Sequence, residues 1–162
     1  MIPIQSSYLI NEHTLALIPA KAIDYDTIIL EQEKRLHIQQ TPMQIIETSC
    51  LQDWTTYEGR RKSVIYHTNF YQKVPIPINI NKQIYFFPTH SPKHIDNCWL
   101  AYQHILSINQ TPQQNDHHQN AYSSVNTIVH FKNGHTLPVH ASYHTLQTQM
   151  NRTLQVIYQS VY

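Results

Sequence analysis

The apolar positions of this chain change period several times, and each change predicts an element. Tyr8-Leu9-Ile10 and Leu15-Ala16-Leu17-Ile18 are short apolar runs on either side of Asn11-Glu12-His13-Thr14, a pattern that predicts a hairpin. Thr27-Ile28-Ile29-Leu30 and Leu36-His37-Ile38 predict a second strand pair. At Thr41 the period lengthens. Thr41 suits a helix N-cap, Pro42 suits the first helical position, where a missing N–H costs nothing, and Gln44 completes a capping box. Met43, Ile46, Cys50 and Trp54 then recur at steps of three and four, which is one helix face. Thr55-x-x-Glu58 is a second box. The helix it opens turns Tyr57, Val64, Ile65 and Thr68 inward. Arg60, Lys62 and Ser63 face solvent, and Arg61 lies at the edge of the apolar stripe.

Period two returns afterwards. Pro75 and Pro77 mark an extended edge segment, because proline cannot donate to a ladder. Residues 76–80 and 83–87 predict strands joined near Asn81-Lys82; 88–96 predicts a loop and 99–108 a long strand. Residues 109–124 are almost all Gln, Asn, His, Ser and Pro, which predicts a mobile polar loop inside the domain. Residues 125–131 and 135–140 flank Lys132-Asn133-Gly134, and Asn-Gly is a strong hairpin turn. Ser142 caps a last helix with the apolar stripe Tyr143, Leu146, Met150, Leu154, Ile157 and Val161. The expected fold is α+β: antiparallel hairpins and about three helices in a single domain spanning 1–162. A chain of 162 residues buries roughly 70% of its unfolded surface, so it needs no disulfide or metal to fold.

Charge changes this picture in one respect. Charged residues make up only 13% of the chain and the formal net charge is +1, which by itself says little about partners. The distribution is uneven. Residues 1–58 hold three cations and eight acids, a net −5. Residues 59–162 hold Arg60, Arg61, Lys62, Lys73, Lys82, Lys93, Lys132 and Arg152 against Asp96 and Asp116, a net +6. Such asymmetry hints at an anionic partner. Cys50 and Cys98 are two and far apart, which fits buried free thiols in a reducing compartment. No basic segment precedes an N-terminal apolar run, and no apolar stretch approaches 18 residues, so neither a signal peptide nor a membrane span is expected.

The densest cluster of unusual residues lies between Glu47 and Ser91. It contains Ser49-Cys50, Tyr57-x-Gly59-Arg60-Arg61, the proline-interrupted Val74-Pro75-Ile76, and Phe87-Pro88-Thr89-His90-Ser91, with Trp99 following. Phe131-x-Asn133-x-x-x-Leu137, Ser142-Tyr143, Gln149 and Arg152-Thr153 come later. In this order and spacing the chain resembles the family of the competence transcription factor ComK of Gram-positive bacteria, over most of residues 8–158. The resemblance implies a cytoplasmic, nucleoid-associated activator of DNA-uptake genes, without enzymatic activity, catalytic residues, metal or cofactor. It implies binding to paired A/T-tract boxes through the minor groove, as a homo-oligomer. A narrow A-tract groove carries strong negative potential that attracts Arg and Lys, and its readers also use Asn and Gln. On this reading Arg60, Arg61, Lys62, Lys73, Lys82, Lys93, Asn133 and Arg152 are the DNA-binding residues. The family picture adds a protease adaptor, which can use a charged tail beyond the last helix. This sequence stops at Tyr162 without one, and that departure puts adaptor control in question.

Competing readings attach to the same residues. Arg60-Arg61-Lys62 is also what a solvated helix face looks like. Gly59 permits either a close backbone approach to DNA or helix packing. Twelve histidines raise a His-rich metal-binding protein or hydrolase, but no H-E-x-x-H, C-x-x-C or G-x-S-x-G occurs. His90-x-x-x-His94 has helical spacing interrupted by Pro92. The Asn133-Gly134 hairpin ahead of a capped helix loosely resembles the end of LytTR-type domains, which read the major groove. A protein-interaction module without a DNA role is the remaining class.

Overall fold

A computed structural model describes residues 1–111 and 127–162. Strands β1 (Ile4–Gln5), β2 (Thr14–Pro19), β3 (Thr27–Glu31), β4 (Arg35–Ile38), β5 (Ile76–Asn79), β6 (Ile84–Pro88) and β7 (Trp99–Ala101) form one sheet. Their order is β1-β4-β3-β2-β7-β6-β5, and only β1 with β4 runs parallel. A smaller antiparallel sheet has the order β10-β9-β8, from β8 (Ile105–Gln110), β9 (Thr127–Phe131) and β10 (Thr136–Val139). Helices α1 (Pro42–Gln52), α2 (Tyr57–Thr68) and α3 (Tyr143–Val161) complete an α+β domain, as the apolar pattern predicts.

The central strands bury both faces, which is why β2 and β6 read as apolar runs rather than alternations. On one face Leu17, Ile29, Phe86 and Trp99 pack with Ile45 and Ile46 of α1 and Val64 of α2. On the other, Ala16, Phe87 and Leu100 pack with Val129 and Phe131 of the small sheet. α3 enters both cores, with Leu146 in the second and Val156 in the first.

Several expectations need correction, each for a tertiary reason. Residues 8–10 form no strand. The Tyr8 N–H donates to Gln40 Oε1 and the Ile10 N–H to the Ser49 hydroxyl, so side chains take the donors a ladder would use. β2 pairs with β3 and β7 instead. The strand expected over 99–108 breaks into β7, a 3₁₀ turn at Tyr102–His104, and β8. There the chain leaves the large sheet for the small one, and Gln103 Oε1 accepts the Tyr85 N–H that a continuing strand would have paired. Of the polar loop expected at 109–124, Asn109 and Gln110 belong to β8. Thr111 is described but lies in no strand, and the rest falls outside the described residues, as do 125 and 126.

Helix α1 is capped as expected, with the Thr41 hydroxyl accepting the Gln44 N–H and the Gln44 side chain accepting the Thr41 N–H. Trp54, however, lies past its end at φ 60 and is 98% exposed. The cap of α2 is Thr56, not Thr55. A β-carbon at Gly59 would lie 2.9 Å from the Thr56 hydroxyl that holds this cap, which gives Gly59 a local role. The inward face of α3 is rotated from the expected stripe. Gln149 and Thr153 are buried, while Leu154 is 55% exposed.

Thr41→Ala removes one arm of the α1 capping box and should lower stability by about 1 kcal/mol, read as a shift of the urea unfolding midpoint. An unchanged midpoint would mean that the cap contributes nothing to stability.

Candidate nucleic-acid interface

The register of the large sheet divides the charged loops between two ends. β5 ends and β6 begins at the end where β2 begins and β3 turns into β4. Lys82 lies there, with its ammonium 3.3 Å from Glu12. Asn133 joins it, because its side-chain amide donates to the Gln32 carbonyl at 3.0 Å. These two expected DNA contacts therefore tie loops together at one end. The opposite end holds the entry to β5, the segment between β6 and β7, and the β2–β3 turn. Lys73 and Lys93 lie there.

That second end is built on carbonyl groups. After α2 the chain reverses at Asn69, which adopts a left-handed conformation at φ 62 and returns its N–H to Ile65. The next carbonyls are then held one after another. Arg61 donates to Tyr71 at 3.2 Å, Arg152 to Gln72 at 3.0 Å, and Gln149 to Lys73 at 2.8 Å. The Arg152 guanidinium also lies over the Phe70 ring, 4.8 Å from its centroid. The same Gln149 amide donates to the Pro88 carbonyl at 2.8 Å. One buried side chain of α3 thus clamps the entry of β5 to the exit of β6, and sets Lys73 beside the segment that begins with Thr89.

The Phe87-Pro88-Thr89-His90-Ser91 motif acquires a physical meaning here. Phe87 is core, and Pro88 offers its carbonyl to Gln149. Buried Thr89 accepts the Cys98 N–H, and Asn97, also buried, accepts the His90 N–H at 3.0 Å. The loop is therefore closed on itself, and His90 stacks on His94 with centroids 4.8 Å apart. Partial burial, then the charge of His94, press the His90 pKa below its ordinary value; Asp96 pulls it up, and Lys73 and His140 add weaker downward pushes. Asp96 itself pairs with Lys21 at 3.6 Å. Asp24 and Asp26 share this end of the sheet, but in the β2–β3 turn, on the far side of β7.

The cationic triplet on α2 divides. Arg60 does not face solvent. Its side chain is only 16% exposed and pairs with Asp53, the C-cap of α1, so its first task is to join two helices. Arg61 supports the turn after α2. Lys62 alone of the three is exposed and makes no hydrogen bond or ion pair among the described residues. The structure thus brings Arg61, Lys73 and Arg152 together around residues 70–74 and places Lys93 at the same end of the sheet. It holds Arg60 between helices and puts Lys82 and Asn133 at the other end. Sequence reasoning missed His90, His94 and His140 as members of this surface. The signal lay in the Thr89-His90 pair next to Pro88, which charge counting at neutral pH passes over.

Among the described residues, no three His, Cys, Asp or Glu side chains gather to hold a metal ion. Both cysteines are free and buried, and burial pushes Cys50 up to about 11 and Cys98 up to about 12. Both thiols therefore stay protonated at neutral pH and are poor nucleophiles. No helix among the described residues is long and apolar enough to cross a membrane.

The model of the family described as ComK protein matches residues 5–161. The chain belongs to the ComK family. It is 28% identical over 149 residues to a protein of Bacillus subtilis (strain 168) named competence transcription factor, covering 91% of this chain and 71% of that one. No solved structure matches. The ComK-family match takes in both ends of the sheet and all three helices, so it does not by itself choose between the two ends.

Replacing Gln149 by leucine keeps the volume and removes both clamp bonds. The carbonyls of Lys73 and Pro88 lose a donor, at a cost of about 2 kcal/mol. The expected outcome is a lower urea midpoint with faster amide exchange at residues 70–75 and 89–91. A variant as stable as the parent would show that the clamp is dispensable.

Proposed function

We propose that this chain is a competence transcription factor that binds double-stranded DNA with the end of the sheet carrying Lys73 and Lys93. The carrying observation is how its cations are partnered. Lys21, Lys34, Arg60 and Lys82 each have a carboxylate within bridging distance. Arg35, Arg61, Lys62, Lys73, Lys93, Lys132 and Arg152 have none among the described residues; Lys73, Lys93 and Arg152 gather at one end of the sheet with Arg61 behind them, while Arg35 and Lys132 lie at the other. Positive charge left without a carboxylate to offset it is what an anionic backbone can neutralise. The family membership and the named relative support the same reading. They also favour a regulator over an enzyme, acting in the cytoplasm at the nucleoid. In this scheme Lys62, Lys73, Lys93 and Arg152 contact the duplex. Arg60 and Arg61 hold the scaffold behind them, and Lys82 and Asn133 serve the other end.

The preferred target is a pair of A/T-tract boxes read from the minor groove, whose narrow, strongly negative channel suits a few inserted cations. So few contacts per chain give weak binding at physiological salt, and self-association of two or more copies would supply the missing affinity. Exposed Leu154 and Tyr158 on α3, beside His67 and Thr68 of α2, offer an uncharged surface for a second copy.

Two outcomes follow for gel shifts on AT-rich duplexes. Lys62→Ala, Lys73→Ala and Lys93→Ala should each flatten the salt dependence of binding by about one unit. Arg60→Ala should instead reduce stability, because Asp53 loses its partner. An unchanged slope in the triple lysine variant would contradict the assignment of this surface. Duplexes with two boxes in phase should bind much more tightly than those with one box. Moving one box by about five base pairs, half a helical turn, should abolish the gain. Equal affinity for all three duplexes would favour a monomeric reader, and competition by a minor-groove ligand separates this reading from a major-groove one.

A further inference from the structure

Three histidines gather where the lysines are. His90 and His94 stack with 13° between their planes. Lys73 and His140 stand close enough for their charge to bear on His90. The Gln149 clamp fixes this neighbourhood, since it joins the Lys73 carbonyl to the Pro88 carbonyl two residues before His90. His140 follows β10 directly and precedes the Ser142 cap of α3.

Hydrogen bonding sets the resting protonation. Thr89 Oγ1 accepts the Cys98 N–H at 3.0 Å and lies within hydrogen-bond distance of His90 Nδ1, at 2.8 Å. His94 Nδ1 accepts the Asp96 N–H at 3.1 Å. Neutral His94 therefore carries its proton on Nε2. A second proton on His94 has to displace this bond, and one on His90 stands beside another imidazole and in the field of Lys73. Asp96 is the carboxylate facing the group, and it is shared with Lys21. In the free protein, burial and its neighbours hold His90 towards the neutral form. An anion laid against it reverses the balance, because it stabilises the imidazolium and offsets the mutual repulsion.

We propose that His90, His94 and His140, together with Lys73, form a phosphate-binding cluster that takes up protons when the chain binds DNA, so that affinity rises as pH falls. This rests on the DNA-binding reading above and names how that surface is regulated. The sign follows from linkage. A bound anion favours the protonated rings, so the complex holds more protons than the free chain over the range in which histidine charges. Across that range log K falls with rising pH by at most about one unit per pH unit for each proton taken up. At higher pH the rings are neutral in either state and the lysines act alone.

The test is fluorescence anisotropy with the full chain and a labelled AT-rich duplex, at constant ionic strength between about pH 8 and pH 6, the range over which histidine charges. Parent affinity is expected to rise about tenfold or more as pH falls across that range, as one or more protons are taken up. His94→Gln with His140→Gln changes only exposed rings and should remove at least half of the rise on a logarithmic scale. His90→Asn, which keeps an acceptor near Thr89, should remove part of it as well. His13→Gln, at the opposite end of the sheet, should leave it intact. If His90→Asn fails to fold, by circular dichroism, the exposed double variant decides. Binding that does not change with pH, or a full rise in the double variant, overturns the histidine cluster and leaves the DNA reading standing. No binding at any pH overturns both.

Discussion

The buried amide of Gln149 is the interaction on which the rest of this surface depends. Its two donors meet the carbonyls of Lys73 and Pro88, which lie at the two ends of the β5–β6 hairpin and far from Gln149 in sequence. A buried polar side chain survives in a core only when its groups are paired, so the helix bearing Gln149 must sit at one rotation. That rotation buries Gln149 and Thr153 between Leu146 and Val156, and turns Leu154 and Tyr158 to solvent. The position of Lys73, the conformation of the loop after Pro88 and the uncharged outer face of α3 therefore share one cause.

The cations follow a division of labour set by their chemistry. A guanidinium presents several fixed donors and suits multiple contacts within the fold, whereas an ammonium on a flexible stem suits a charge left in solvent. Arg60, Arg61 and Arg152 all bond inside the molecule, to Asp53 and to the carbonyls of Tyr71 and Gln72. Among the described residues, Lys62, Lys73 and Lys93 do not pair with a carboxylate. Arg60, Arg61 and Arg152 shape the platform, while Lys62, Lys73 and Lys93 leave their charge in solvent; Lys21, Lys34 and Lys82 instead pair with carboxylates.

What the sequence made legible was local. The β3–β4 pair, the Thr41 and Ser142 caps and the Asn133-Gly134 hairpin rest on turn and capping chemistry within a few residues, and all formed. The misplaced elements answered to distant partners. Tyr8 and Ile10 gave their N–H groups to Gln40 and Ser49, and the long strand after Trp99 changed sheets. The α3 stripe turned because a glutamine found two carbonyls. The site was partly legible for the same reason. The density of Arg60-Arg61-Lys62 was visible, but Asp53, seven residues before Arg60, claimed the first of them. The histidines carry no formal charge at pH 7, so a count of Lys and Arg could not place them.

The central claim is that DNA lies against the end of the sheet organised by Gln149. Hydrogen exchange of the full chain with and without an AT-rich duplex tests it directly. The account predicts new protection at residues 70–75, 89–97 and 140–152, with little change at the Lys82 turn and the Asn133 hairpin. Protection confined to that turn and hairpin, with residues 70–75 and 89–97 unaffected, would contradict it.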